Sequence, residues 1–287
     1  MALDENDNPH IGYFDTWPNS NLKYAHQDAA GWHIETVDRE EQVGQRTSLA
    51  LDGDGYPHIM YHNEYSGSDL KYVYQDATGW HTETVDSERA SGASLALDRN
   101  GYAHISYHHL RDGLKYAYRG ASGWHIEVVD SAGWGDGDTS LALDGNGFPH
   151  ISYYSRGNLM YAYQDAAGWH IEMVDNGGPG RGATSLVLDS NGHPHVGFLD
   201  ISYSDTDDSV LQYAYRDRSG WQIQTVDTKL GPYSGFTSLA LDENGYAHIS
   251  YYDAWPNGDL KYAYQEDAGW HIQLVDSQGD DGSGTSL

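Results

Sequence analysis

An all-β fold is predicted: a six-bladed β-propeller of four-stranded antiparallel blades, closed by pairing of the N- and C-terminal segments. Three observations predict it: a Gly-Trp pair that recurs along the whole chain, alternating side chains in short runs between turn signals, and chain ends that are complementary halves of one repeat unit.

The tryptophans of the repeat are Trp32, Trp80, Trp124, Trp169, Trp221 and Trp270, at spacings of 48, 44, 45, 52 and 49 residues. Each unit reads as Ser-Leu-Ala-Leu-Asp, a turn, Pro/Ala-His-Ile-Ser-Tyr, a variable loop, Leu-Lys-Tyr-Ala-Tyr, a turn, and Trp-His-Ile-Glu-x-Val-Asp. These are four strands, A to D. Breakers such as Asp52-Gly53-Asp54-Gly55 and Asp28-Ala29-Ala30-Gly31 make hairpins between them, and no helical stripe competes. In strand C, Leu70, Tyr72 and Tyr74 share one face while Lys71, Val73 and Gln75 share the other. The position of Val73 is alanine in the other five units, so a bulky blade face can pack on a small one. The chain stops at Thr285-Ser286-Leu287 and the same strand resumes at Ala2-Leu3-Asp4; joined without Met1, the ends restore a 48-residue period. Residues 1–287 therefore read as a single domain of six tandem repeats of 44–52 residues, with Leu287 expected to pair near Ala2. Closure removes exposed blade faces and shortens the outer edges.

Composition narrows the partners. The chain has 43 acidic and 15 basic residues for a net charge of -28, which opposes contact with nucleic-acid phosphates and anionic membranes. It has no cysteine, which removes disulfides, thiolate metal sites and cysteine nucleophiles. No apolar stretch reaches the length of a membrane span, and residues 1–20 lack the pattern of a signal peptide. A monomer in an extracellular or cell-surface setting is expected.

Successive antiparallel strands put the A–B and C–D turns on one rim and the B–C and D–A loops on the other. The first rim repeats almost unchanged, whereas B–C loops range from Tyr154–Asn158 to an insertion spanning Leu199–Val210. The variable rim is thus the expected binding face. Asp15-Thr16-Trp17-Pro18-Asn19 and Asp253-Ala254-Trp255-Pro256-Asn257 are near duplicates there. Their indoles suit the C–H faces of sugars, and Asp15, Asn19, Asp253 and Asn257 suit the hydroxyls. Tyr65, His108, Arg111, Arg156 and Tyr203 join the candidate set, with Trp134 beside them. The structural alternative is that Trp17 and Trp255 cover blade junctions.

Two histidine sets recur, one opening strand B (His10, His58, His104, His150, His195, His248) and one after the tryptophans (His33, His81, His125, His170, His271). One histidine per blade, at a sheet spacing of about 10 Å, cannot share a metal whose nitrogen ligands lie near 2 Å. A structural hydrogen-bonding role is expected. Asp4, Asp52, Asp98, Asp144, Asp189 and Asp242 head the A–B turns; these are shorter than a calcium loop and read as Asx turns, with calcium as the one metal alternative and no other cofactor called for. Serine, histidine and aspartate occur in every blade, so no catalytic set stands out. Paired rim carboxylates such as Asp15 and Asp253 keep a polysaccharide hydrolase open, and tyrosine–histidine pairs a lyase.

The unit Leu-Lys-Tyr-Ala-Tyr-Gln-Asp-Ala-x-Gly-Trp-His resembles the sialidase-related, BNR-repeat class of β-propellers along essentially the whole chain. The Asp-box of that class places one residue between aspartate and glycine and two before the aromatic; Asp28-Ala29-Ala30-Gly31-Trp32 has two and none. The resemblance implies an arginine triad in sialidases, and the ten arginines here, Arg111 and Arg156 among them, show no triad spacing. Propeller lectins are similar in repetition and in aromatic-rich carbohydrate sites. The expected function is a non-catalytic carbohydrate-binding or adhesive module that meets a glycan or surface protein, against a ligand-free structural scaffold or a polysaccharide-active enzyme.

Overall fold

A computed structural model describes residues 1–15, 20–39, 43–63, 68–87, 89–131, 137–176, 182–200, 209–231, 234–254 and 258–277. Every regular element among them is a β-strand, and none is a helix long and apolar enough to cross a membrane.

The strands form six four-stranded antiparallel sheets, each built from four consecutive strands in sequence order. Blade 1 is β1 (Ala2–Leu3), β2 (Pro9–Asp15), β3 (Asn21–Asp28) and β4 (Gly31–Asp38). Blade 2 is β5 (Val43–Leu51), β6 (Pro57–Asn63), β7 (Asp69–Asp76) and β8 (Gly79–Asp86). Blade 3 is β9 (Ala90–Leu97), β10 (Ala103–His109), β11 (Gly113–Gly120) and β12 (Gly123–Asp130). Blade 4 is β13 (Thr139–Leu143), β14 (Pro149–Ser155), β15 (Asn158–Asp165) and β16 (Gly168–Asp175). Blade 5 is β17 (Thr184–Leu188), β18 (Pro194–Asp200), β19 (Ser209–Asp217) and β20 (Gly220–Leu230). Blade 6 is β21 (Gly235–Leu241), β22 (Ala247–Asp253), β23 (Asp259–Glu266) and β24 (Gly269–Asp276). The all-β, six-bladed propeller class is the one expected. Blades 1–3 belong to one compact unit, Met1–Gly135, and blades 4–6 to a second, Asp136–Leu287. The expected pairing of Leu287 with Ala2 lies outside the described residues.

Within each unit, large and small blade faces interlock as the alternation predicts. Leu22 and Tyr24 of blade 1 pack with Ile59, Tyr61 and Val73 of blade 2. Met60, Leu70, Tyr72 and Val85 of blade 2 pack with Ala90, Leu95, Ile105, Tyr107 and Ala117 of blade 3. In the second unit, Tyr154, Leu159, Tyr161 and Val174 meet Leu186, Val196, Phe198 and Ala214, and Leu211 and Tyr213 meet Ile249, Tyr251 and Ala263. The tyrosine on the bulky face is the hinge of this packing: Tyr72 is 1% exposed, with its ring edge-to-face with Trp124 at 5.2 Å.

The first histidine set has the structural role expected of it. In each of the six blades the Nδ1 of the strand-B histidine meets the hydroxyl of a strand-C tyrosine, as in His10 with Tyr24 and His58 with Tyr72. Burial pushes the pKa of Tyr72 above the ordinary range, so its hydroxyl donates and the imidazole nitrogen accepts. The Nε2 of His58 then carries the hydrogen and faces Asp52 Oδ2 at 3.4 Å.

The turns are set by aspartates. Oδ1 of Asp4, Asp52, Asp98, Asp144, Asp189 and Asp242 each accepts two backbone N–H groups, from two and four residues further on. This is the Asx geometry expected, and it occupies one oxygen of every candidate calcium aspartate. In the C–D turns, Gly31 sits at φ 118° with open space around it, so backbone conformation rather than crowding excludes a larger residue. Asp98→Ala, which strips the acceptor from the N–H groups of Asn100 and Tyr102, is expected to lower stability by about 1–2 kcal/mol. Thermal denaturation checks this; an unchanged Tm would contradict the capping role.

Candidate functional site

The loop residues picked from the sequence are distributed unevenly. Trp17, Asn19, Tyr65, Trp134, Tyr203, Trp255 and Asn257 lie outside the described residues. Asp15 ends β2, half-buried, with Lys23 Nζ 3.8 Å from its Oδ2. Arg111 is exposed in the turn between β10 and β11, and Arg156 is exposed between β14 and β15 at φ 53°. His108 and Asp253 instead point inward, at 1% and 3% exposure. Asp253 accepts the Gly231 N–H at 2.9 Å and binds Lys261 Nζ at 2.7 Å. As placed, neither presents a surface, and Asp253 ties the end of β22 to Gly231 after β20.

The most developed polar arrangement lies on the outer strands, at the other end of the blades. Register sets Arg119 of β11 opposite Trp124 of β12, so the guanidinium and the indole share one blade face. That face turns toward blade 2, where β8 offers Glu83. Arg119 Nη2 lies 2.6 Å from Glu83 Oε1 and Nε 3.0 Å from Oε2, a two-pronged pair. Trp124 Nε1 donates to Glu83 Oε2 at 2.9 Å, and the Tyr74 ring lies beneath the guanidinium at 5.1 Å. The hydrogen bond from Arg119 holds the Glu83 carboxyl below its usual range, so it stays an acceptor at neutral pH.

The second unit repeats the arrangement. Arg216 Nη2 lies 2.8 Å from Glu172 Oε1, and Trp221 Nε1 donates to Glu172 Oε2 at 3.1 Å. Elsewhere the strand-C position of Arg119 is Gln27, Gln75, Gln164 or Gln265. The tryptophan bond persists there without an arginine, from Trp80 to Glu35 and from Trp270 to Gln224, both at 3.0 Å. The blade junction therefore needs the indole bond, while the arginine is an addition at two junctions.

Both ion pairs stay open to solvent. Arg119 and Glu83 are 29% and 28% exposed, and Arg216 and Glu172 are 40% and 27% exposed, so both charged groups reach solvent. Beside Trp124, on the same face of β12, Ile126 and Val128 are 42% and 51% exposed, and Ile223 beside Trp221 is 40% exposed. Chemically, a guanidinium can donate to a hydroxyl, a carboxylate can accept from a neighbouring one, and indole and isoleucine side chains can cover an apolar C–H face. The sequence reading did not single out these residues. The signal was in one column of the repeat, where glutamine gives way to Arg119 and Arg216 five residues before a tryptophan.

Neither a protein-family model nor a curated protein matches the sequence. Solved structures do match by fold. An ulvan lyase, described as a new family of polysaccharide lyase, has a TM-score of 0.68 at 12% identity, with 96% of this chain and 82% of that one covered. The SapL1 lectin in complex with alpha methyl fucoside has a TM-score of 0.63 at 12% identity, covering 95% and 93%. AofleA from Arthrobotrys oligospora has a TM-score of 0.60 at 14% identity, covering 95% and 87%. At these identities the likeness is one of fold: the chain shares its architecture, over nearly its whole length, with a lectin and with a polysaccharide lyase.

Proposed function

We propose that the protein is a non-catalytic carbohydrate-binding module whose sugars seat in outer clefts between neighbouring blades. The observation that carries this reading is the convergence of Arg119, Glu83 and Trp124, met again as Arg216, Glu172 and Trp221. A structural role alone does not account for the arginines, because four of the six strand-C positions keep a glutamine. The fold shared with a lectin solved with a fucoside supports the same reading. Two weak sites on one chain favour multivalent ligands, since the second contact with a surface is effectively intramolecular.

The repeat supplies a mild substitution for the test. Arg119→Gln and Arg216→Gln install the residue that other blades already carry, so folding is expected to be retained. On a broad glycan array the native protein is expected to bind, each single substitution to weaken binding several-fold, and the double substitution to lower it by at least about tenfold, the loss of about 1.4 kcal/mol or more. Array signals equal for native and double-substituted protein would remove the clefts as the site. Unsaturated or reducing ends released from a polysaccharide would replace the binding reading with an enzymatic one.

A further inference from the structure

Two columns of the repeat set the charge of the junction clefts: the strand-C residue opposite the tryptophan, and the strand-D acceptor of its indole N–H. Between blades 1 and 2 these are Gln75 and Glu35, which leave one carboxylate. Between blades 5 and 6 they are Gln265 and Gln224, which leave no charge. Arg119 with Glu83 and Arg216 with Glu172 are paired ions, so these two clefts gain no net charge from the columns either. An arginine thus occurs only where the acceptor is a glutamate, and none of these four clefts presents an unmatched guanidinium. The other cation of β11, Lys115, is likewise held, at 3.2 Å by Asp86 and at 3.0 Å by Asp112.

A free guanidinium is the group best shaped to take the carboxylate of a uronic acid or the sulfate of a sulfated sugar through two parallel N–H bonds. Here Glu83 already fills that position, with Oε1 2.6 Å from Arg119 Nη2 and Oε2 3.0 Å from Nε. An anionic sugar would have to displace Glu83, which the Trp124 N–H anchors at 2.9 Å, and the like charges would then face each other in a half-buried cleft. The net charge of -28 adds repulsion at longer range. An uncharged sugar meets neither cost. With Nε and Nη2 turned to Glu83, Nη1 of Arg119 is left to donate to a hydroxyl, and the Glu83 oxygens keep lone pairs to accept from one.

We infer, on the carbohydrate reading above, that Glu83 and Glu172 are specificity-determining residues that commit the clefts to uncharged sugars and exclude uronic acids and sulfated sugars. The repeat itself contains the substitution that tests this. Gln224 accepts the Trp270 indole N–H through its amide oxygen at 3.0 Å, so Glu83→Gln and Glu172→Gln keep the bond that the junction needs while releasing each arginine from its counter-charge.

An array of glycans in matched pairs that differ in charge provides the measurement: methyl-esterified polygalacturonate with polygalacturonate, dextran with dextran sulfate, and agarose with carrageenan. The native protein is expected to favour the uncharged members by at least about tenfold. The Glu83→Gln/Glu172→Gln protein, its fold checked by far-ultraviolet circular dichroism, is expected to lose at least about tenfold of that preference by gaining the charged members. Adding Arg119→Gln and Arg216→Gln to it is expected to abolish the gain. Raising the salt to about 0.5 M, which shortens the screening length to roughly 4 Å, is expected to leave the native preference in place, because charges in contact are screened less than distant ones. A native preference for charged glycans that Arg119→Gln weakens would refute the selectivity and leave the clefts as the sugar site. A preference untouched by the two glutamate substitutions, or one that salt erases, would assign it to the charge of the whole chain and overturn the role of the glutamates. Binding of no member by either protein would remove the carbohydrate reading together with this inference.

Discussion

Lowering the pH from about 7 to about 4 is expected to remove a large part of the folding free energy. Burial holds the imidazoles of His62 and His108 down at about 4, and also lowers those of His10, His58, His104, His150 and His195. In the unfolded chain these groups titrate near the ordinary histidine value of about 6.5. Below that value the unfolded state binds protons that the folded state refuses, so stability falls as pH falls through the window from about 6.5 to about 4, and it is fully present above it. A depression of the size seen at His62 and His108 corresponds to roughly 3 kcal/mol at each, against a total of about 5–15 kcal/mol for a folded domain. The denaturant midpoint is expected to drop steeply between pH 7 and pH 4.5. A flat midpoint over that range would contradict the buried neutral state. His62→Phe, which installs the residue found at the matching position Phe14, is expected to make the decline shallower.

The second large effect is expected at Tyr72. Its side chain is 1% exposed, its hydroxyl donates to His58 Nδ1, its ring is edge-to-face with Trp124 and stacks on Tyr74 at 5.6 Å. Tyr72→Ala is expected to cost about 3–5 kcal/mol through the cavity it leaves between blades 2 and 3. Tyr72→Phe keeps the packing and strands His58 Nδ1 without its donor, which is expected to cost about 1–3 kcal/mol. Denaturant unfolding of both variants checks the order. Equal losses would mean that the hydrogen bond, rather than packing between blades, carries the contribution of this residue.

Strands, turns and blade faces were legible in the sequence because each rests on a local pattern. Alternation sets Leu70 and Tyr72 on one face and Val73 on the other, and the structure buries them against different neighbours. Asp52 and its five counterparts announce Asx turns within four residues, and they form them. The candidate site was harder to read, because its parts come from separate blades. Glu83 and Arg119 are 36 positions apart, and their meeting depends on how one blade staggers against the next, which no single strand encodes. Loop variability led the sequence reading to the rim of the B–C loops, where His108 and Asp253 are buried and Asp253 accepts the Gly231 N–H. Repetition also misleads in the other direction: a residue such as Arg216 looks like an isolated departure until its strand-C column is compared across all six blades.

The most direct test of carbohydrate recognition at the blade junctions uses the nine tryptophans, whose indole N–H groups give separate signals in a nitrogen-15 correlation spectrum. Titration with the glycan that binds best on the array is expected to shift the indole signals of Trp124 and Trp221, whose bonds to Glu83 and Glu172 lie in the clefts, and to leave those of Trp17 and Trp255 in place. Shifts confined to Trp17 and Trp255 would move the site to the variable loops and contradict the account.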